Sequence, residues 1–164
     1  MKRIIIFFSA SGNTKKIAET VQKVLKCDKI ELKLKKEIPI NGFSKIFWFF
    51  KQVLLKAKPQ LLPLEKDFKD YDLIIIGTPV WANSISSPIR SFLKNYKISE
   101  KKIALFCCSA SGSGRGKPIE ILLQSLRGNK VVSKASFTEP KKDNSEQTIK
   151  KAKGWAKEIL SKTG

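Results

Sequence analysis

Three unbroken apolar runs, Ile4 to Phe8, Leu73 to Ile76 and Ile103 to Cys108, constrain the fold of this chain most tightly. Each ends in small or polar residues. Runs of this kind are strands covered on both faces, as in the middle of a parallel sheet. Two further segments, Lys29 to Leu34 and Val131 to Phe137, alternate apolar with polar residues and carry charge, which marks edge strands. Helical patterns separate the five. Crossover rules then place the first, third and fourth strands in the centre with the second and fifth outside. The expectation is one α/β domain over residues 1–164, a doubly wound five-stranded parallel sheet of order 2-1-3-4-5.

The helices carry readable signals. Thr14 to Leu25 places Ile17, Ala18, Val21, Val24 and Leu25 on one face, and Ser87-Pro88 pairs an N-cap with proline at the first helical position. Lys117-Pro118 opens a helix through Leu126, and Asp143 with Glu146 forms a capping box ahead of Ile149, Ala152, Ala156, Ile159 and Leu160. The segment Phe43 to Lys58 is less ordinary. Its stripe of Phe43, Ile46, Phe47, Phe50, Val53, Leu54 and Ala57 is expected to face the sheet, which leaves Trp48 and Leu55 on the other side, either because the helix is wedged more deeply than usual or because they serve a second contact, such as a dimer interface or a cover over a ligand.

Between the first strand and the first helix lies Ser9-Ala10-Ser11-Gly12-Asn13-Thr14. Small side chains let backbone N–H groups turn toward one point. The hydroxyls of Ser9, Ser11 and Thr14 and the Asn13 amide add donors, and the helix N-terminus adds partial positive charge. Such a loop cradles an anion. Lys15 and Lys16 point the same way, because cations are unfavourable at a helix N-terminus unless an anion sits there.

This loop resembles that of the flavodoxin family, T/S-x-T/S-G-N-T, and every position of the pattern is filled. A second stretch, Gly77-Thr78-Pro79-Val80-Trp81-Ala82-Asn83-Ser84, is similar to the family's flavin-ring loop of the G-T-P-V-W type, and the resemblance covers nearly the whole chain. It implies the flavodoxin-like fold and FMN as cofactor. On that basis Ser9, Ser11, Gly12, Asn13 and Thr14 hold the phosphate, Pro79, Val80, Ala82 and Asn83 lie along the ring edge, and Trp81 stacks on the ring. Ser109, Ala110, Ser111 and Gly112 bind its pyrimidine end. Two positions depart from the family. Ala82 stands where many flavodoxins have Gly, and Asn83 replaces a common acidic residue. Because a peptide turns to positive φ less readily at Ala, and because lysines surround the site, the expectation is reduction in two-electron rather than one-electron steps.

Composition narrows the chemistry. There is no histidine, which removes Ser-His-Asp and Cys-His catalysis and histidine-ligated metals, so reactivity must come from a cofactor. The three cysteines, Cys27, Cys107 and Cys108, contain no C-x-x-C pair and read as buried free thiols; no metal site is expected. Gly112 to Pro118 lacks the spacing of a P-loop and is not G-x-G-x-x-G. Cys108 to Arg115 is one residue too long for a cysteine phosphatase loop, and the first strand ends without the acidic cluster of a receiver domain.

Net charge is +19, with 33 basic residues of which four are arginine. Phosphate and base readout favour arginine, so no specific nucleic acid is expected. An acidic redox protein fits the charge better, with NAD(P)H or a quinone as alternative electron partners. The first apolar run is shorter than a secretion signal needs, and no stretch is long enough to span a bilayer, which points to the cytoplasm and no membrane partner. The function expected is FMN-dependent electron transfer or flavin-dependent reduction. Its rivals are an NAD(P)H-dependent quinone or FMN reductase and a flavin-free interaction module on the same fold.

Overall fold

The computed structural model describes residues 1–36, 38, 42–109, 116–138 and 145–164. Its elements run β1 (Arg3–Phe7), α1 (Asn13–Leu25), β2 (Asp28–Glu31), α2 (Gly42–Leu54), β3 (Leu73–Trp81), β4 (Ser84–Ile85), α3 (Ser87–Asn95), β5 (Lys102–Ser109), α4 (Gly116–Ser125), β6 (Lys130–Thr138) and α5 (Ser145–Thr163). Five strands form the parallel sheet β2-β1-β3-β5-β6, and two-residue β4 folds back antiparallel on the end of β3. The expected order is therefore present, with one short strand added.

Strand pairing shows why the apolar runs are unbroken. β1 lies between β2 and β3, with Ile4 opposite Asp28 on one side and Ile74 on the other. β3 continues the sheet to β5, Leu73 facing Lys102 and Pro79 facing Cys108. Successive side chains leave a strand on opposite faces. Ile4, Ile6, Ile74, Ile76, Ile103 and Leu105 thus join Ile89 and Phe92 of α3 and Leu122 of α4 in one core. Ile5, Phe7, Ile75, Ala104 and Phe106 join Ile17 and Val21 of α1 and Trp155 and Ile159 of α5 in the other. Neither face of the central strands meets water.

Gly77 of β3 shows how tight the second core is. A Cβ placed there would come within 2.1 Å of the Phe106 ring, so only glycine lets that ring lie against the strand.

The helix boundaries differ from the sequence expectation by small steps. The cap of α3 is Ser86, one residue earlier than expected, and its N–H goes to Thr78 Oγ1 at 3.1 Å. Strand β2 stops at Glu31, and Leu34 makes only an isolated bridge to Leu61. Asp143 of the expected capping box lies outside the described residues.

Helix α2 corrects most of the sequence reading. Four residues of the stripe expected to face the sheet, Phe43, Phe47, Phe50 and Leu54, face outward instead, exposed at 88%, 67%, 62% and 66%, while Val53 packs against the first core as expected. Trp48 packs against the first core, and Gln52 is 8% exposed. The reason lies in the floor beneath the helix. That floor is an aromatic cluster around Trp81, which takes Trp48 at 6.1 Å edge-on and Phe49 at 4.7 Å tilted. Aromatic pairs with centroids at roughly 4.5–7 Å add to simple burial, and here they select the face carrying Trp48 and Phe49. Each outward Phe forgoes roughly 1.5–3 kcal/mol of burial. Leu55, just past the helix end, is exposed as well.

Candidate functional site

The carboxyl ends of β1, β3 and β5 are neighbours in the sheet, so the segments leaving them gather at one edge. β1 is also where the order reverses, since β2 lies on one side of it and β3 on the other. Crevices at such switch points are where doubly wound sheets bind ligands.

The first segment, residues 8–12, turns into α1 through Gly12 at φ 84°. That left-handed conformation costs glycine nothing and swings the chain so that the first turn of the helix faces the sheet edge. Ser9 Oγ accepts the Lys15 N–H at 3.2 Å, and Asn13 Nδ2 donates to Ser11 Oγ at 3.2 Å. The loop is thus braced by its own hydroxyls. Among the described residues the N–H groups of Asn13 and Thr14 have no partner. Asn13 Oδ1 is buried and also unpartnered. Orphaned donors at a helix N-terminus, beside an orphaned buried acceptor, fit a ligand with an anionic end and hydroxyl groups.

Thr14 is placed differently from the expectation that its hydroxyl holds the phosphate. The residue is 1% exposed, and its hydroxyl bonds the thiol of Cys108. Thr14 therefore offers its backbone N–H, while its side chain forms the floor. Lys15 also needs correcting. Its ammonium is answered by Glu31 of β2 at 3.1 Å, which raises its pKa through that hydrogen bond and the accompanying attraction, so its position needs no bound anion.

The second segment is a hairpin rather than an open loop. β3 runs through Gly77, Thr78, Pro79 and Val80 to Trp81, and Trp81 pairs with Ser84 across a two-residue turn. Both turn residues are left-handed, Ala82 at φ 45° and Asn83 at φ 59°, as a tight type I′ hairpin requires. This overturns the premise that Ala82 keeps the peptide from positive φ. The fold already holds it there, at a cost of roughly 1–2 kcal/mol for a residue with a Cβ. Ala82 and Asn83 are exposed, and Pro79 and Val80 half-buried, so the turn itself is open to solvent.

Trp81 is not an open platform. It is 5% exposed, with Phe8 edge-on at 5.7 Å and Trp48 and Phe49 against it. A flat ligand can stack on this indole only if the α2 aromatics give way. Ser109, at the end of β5, is buried, and Ala110, Ser111 and Gly112 lie outside the described residues.

Three residues that hold the hairpin were not singled out from the sequence. Thr78, fully buried, donates from Oγ1 to the Pro79 carbonyl at 2.9 Å, lies 3.2 Å from Ser86 Oγ and accepts the Ser86 N–H. Arg90 of α3 donates to Ser84 Oγ at 3.1 Å and to the carbonyls of Ile85 and Ala57 at 3.3 Å each. Burial draws its guanidinium below the ordinary value. One side chain thus ties the hairpin, α3 and the segment after α2 together. Its rank as one of only four arginines was the available signal.

Cys27 and Cys108 are unsuited to nucleophilic work. Burial pushes Cys108 up to about 12 and Cys27 up to about 11, so both are thiols at neutral pH. Among the described residues no cluster of three His, Cys, Asp or Glu could hold a metal.

Sheet order, switch-point crevice and anion-accepting loop define a doubly wound α/β protein built to hold a phosphorylated ligand. The model of the flavodoxin family matches residues 2–159, and the chain belongs to that family. Among solved structures it is similar to a flavoprotein in complex with FMN from Lactobacillus acidophilus, at 25% identity over 94% of this chain and 98% of that one, with a TM-score of 0.72. It shares the fold of oxidised flavodoxin 2 from Bacillus cereus, at 19% identity over 99% of both chains and a TM-score of 0.66. It also shares that of an azoreductase from Bacillus anthracis, at 16% identity over 99% and 100% and a TM-score of 0.58. No curated protein matches the chain.

Proposed function

We propose that this protein is an FMN-dependent redox protein, an electron carrier or a flavin-dependent reductase. The observation that carries the reading is the pair of N–H groups at Asn13 and Thr14 that have no partner among the described residues, set at the switch point of a flavodoxin-family sheet. Bound FMN supplies electron and hydride chemistry that a chain without histidine, with its Cys27 and Cys108 thiols protonated, does not. The protein's own part is binding and orientation. The Asn13 and Thr14 amides take the phosphate at the positive end of α1, and the Asn13 side chain meets a ligand hydroxyl. The Ala82–Asn83 turn borders the ring, held by Thr78, Ser86 and Arg90 so that its peptides do not swing into solvent. Trp48 and Phe49, above Trp81, gate access to the ring face. Net charge of +19 favours an acidic redox partner, and NAD(P)H or a quinone fits the same charge and the same apolar surround. The site works in the cytoplasm on this reading.

The test is a titration of the purified chain with FMN and with riboflavin, followed by flavin fluorescence. The variant Ser11→Ala, which removes a hydroxyl expected to donate to the phosphate beside those amides, is expected to weaken FMN by about tenfold, the loss of one hydrogen bond to a charged group, and riboflavin by no more than about twofold. Equal losses for both ligands remove the loop from the phosphate. No binding of either ligand leaves the flavin-free module, the reading that the enclosure of Trp81 favours.

A further inference from the structure

The inner side of α2 walls a cavity of about 420 Å³, lined by Leu34, Lys36, Trp48, Gln52, Lys58 and Pro59. Small-molecule sites run from roughly 300 to 1,000 Å³. No residue of the loop before α1 or of the Ala82–Asn83 hairpin lines it. Its walls are fixed from outside. Arg90 donates to the Ala57 carbonyl, and Ser91 Oγ donates to the Pro59 carbonyl at 2.7 Å, which ties this segment to α3. The Lys35 N–H donates to the Gln60 carbonyl and the Leu62 N–H to the Lys33 carbonyl, both at 2.9 Å, which ties it to the chain after β2. Leu34 bridges Leu61 antiparallel in the same pairing, so that register sets Lys36 opposite Pro59 and beside Lys58. Like charges so placed repel, and among the described residues neither lysine has an ion-pair partner. Gln52, on the cavity wall, is 8% exposed, and its Oε1 has no partner. A buried acceptor in that state lowers stability, which a leucine of similar size would not.

The lining chooses the ligand. Two adjacent cations call for an anionic group, the Gln52 acceptor calls for a hydrogen, and Trp48, Leu34 and Pro59 call for a flat apolar body. The carboxylate of an acidic protein reaches the lysines but brings no hydrogen for Gln52. A phosphate is less well matched than a carboxylate, because neither an arginine nor a helix N-terminus is among the described residues of the lining. We propose that this cavity binds a small hydroxylated aromatic carboxylate, with its ring on Trp48, its carboxylate on Lys36 and Lys58 and its hydroxyl on the Gln52 amide. Trp48 also meets Trp81 edge-on at 6.1 Å, so the occupant lies one indole away from the aromatic cluster at the end of β3. The site is independent of FMN.

Titration of the full chain with para-hydroxybenzoate, followed by the indole N–H signal of Trp48 in NMR, tests the proposal. Benzoate and para-hydroxybenzyl alcohol serve as probes that lack the hydroxyl and the charge. Para-hydroxybenzoate is expected to bind with a Kd of about 1 mM or below, and each of the other two about tenfold more weakly. Gln52→Leu is expected to bring para-hydroxybenzoate to the level of benzoate while benzoate changes by no more than about twofold. Lys36→Gln/Lys58→Gln is expected to bring it to the level of the alcohol. Ser11→Ala is expected to leave all three unchanged, which separates this site from the loop before α1. No shift of the Trp48 signal up to about 10 mM para-hydroxybenzoate overturns the proposal. So does an unchanged preference over benzoate in Gln52→Leu, which removes the amide from the site, or undiminished binding to the lysine variant, which removes the anion subsite. Inorganic phosphate that shifts the Trp48 signal at lower concentration than para-hydroxybenzoate overturns the carboxylate assignment.

Discussion

Helices α1 and α2 are both thirteen residues long, both carry apolar stripes, and they end up sorted in opposite ways. In α1 the stripe of Ile17, Ala18, Val21 and Leu25 is buried and the lysines face water. In α2 the outward side carries three phenylalanines and a leucine, and the centre of the buried side is Gln52. At about 3.6 residues per turn Gln52 falls nearly opposite Phe43 and Leu54, so the inversion is a rotation of the whole helix and not a local defect. The two differ in their second face. The other face of α1 is polar, leaving one way to sit on the sheet, whereas α2 has Trp48 and Phe49 opposite its phenylalanine stripe and so has two. Amphipathicity selects an orientation only where one face is polar.

The sharpest way to break this comparison is to truncate one residue from each stripe. Ile17→Ala is expected to cost about 2–5 kcal/mol of unfolding free energy in urea melts, and Phe47→Ser to fall within about 0.5 kcal/mol of zero. A cost for Phe47→Ser comparable with that of Ile17→Ala would mean that α2 sits with its phenylalanines inward. Next in size is Gln52→Leu, which removes a buried acceptor without a partner at similar volume. It is expected to raise stability by about 1–3 kcal/mol in the same melts, and a loss would mean that Gln52 is satisfied in solution.

The smallest effect tests the polar side of α1. Lys15 is raised above its ordinary 10.5 by Glu31. A folded pKa above the unfolded one contributes stability that is complete below about pH 10.5 and is lost as pH rises through the folded value. In Glu31→Gln that alkaline loss should be reduced, with little change at neutral pH because the pair is exposed. Thermal melts between pH 8 and about 11.5 check it; identical alkaline slopes for the two proteins would show that the pair carries no coupling.

Legibility followed the same division along the chain. The central strands could be read because residues covered on both faces must be apolar throughout, and no other environment permits such a run. Their order followed from the edge strands, where alternation and charge betray one wet side. The turn before α1 was readable because it depends on a left-handed residue at Gly12, which local sequence sets. The segment after Gly77 was less readable. Gly77 to Trp81 looks like a loop motif, but the strand continues through it, because Val80 and Trp81 find antiparallel partners in Ile85 and Ser84. No local signal predicts that pairing, since Ala82 is a poor residue for a left-handed turn. Thr78 and Arg90 were missed for a related reason: their partners lie at Ser86 and at Ala57, and only folding brings these within reach.

What the sequence determined by itself is therefore whatever depends on one residue's environment or on a few neighbours: strand identity, sheet order, the α1 stripe and the turn at Gly12. Tertiary structure alone decided the rest. It set which face of α2 turns inward, closed aromatic rings around Trp81, gave the Thr14 hydroxyl to Cys108 and gave Lys15 to Glu31. In each of these a side chain had two acceptable partners. The choice rested on which of them the sheet brought within contact distance, and contact energies fall off over an ångström or so, which no spacing in the chain encodes.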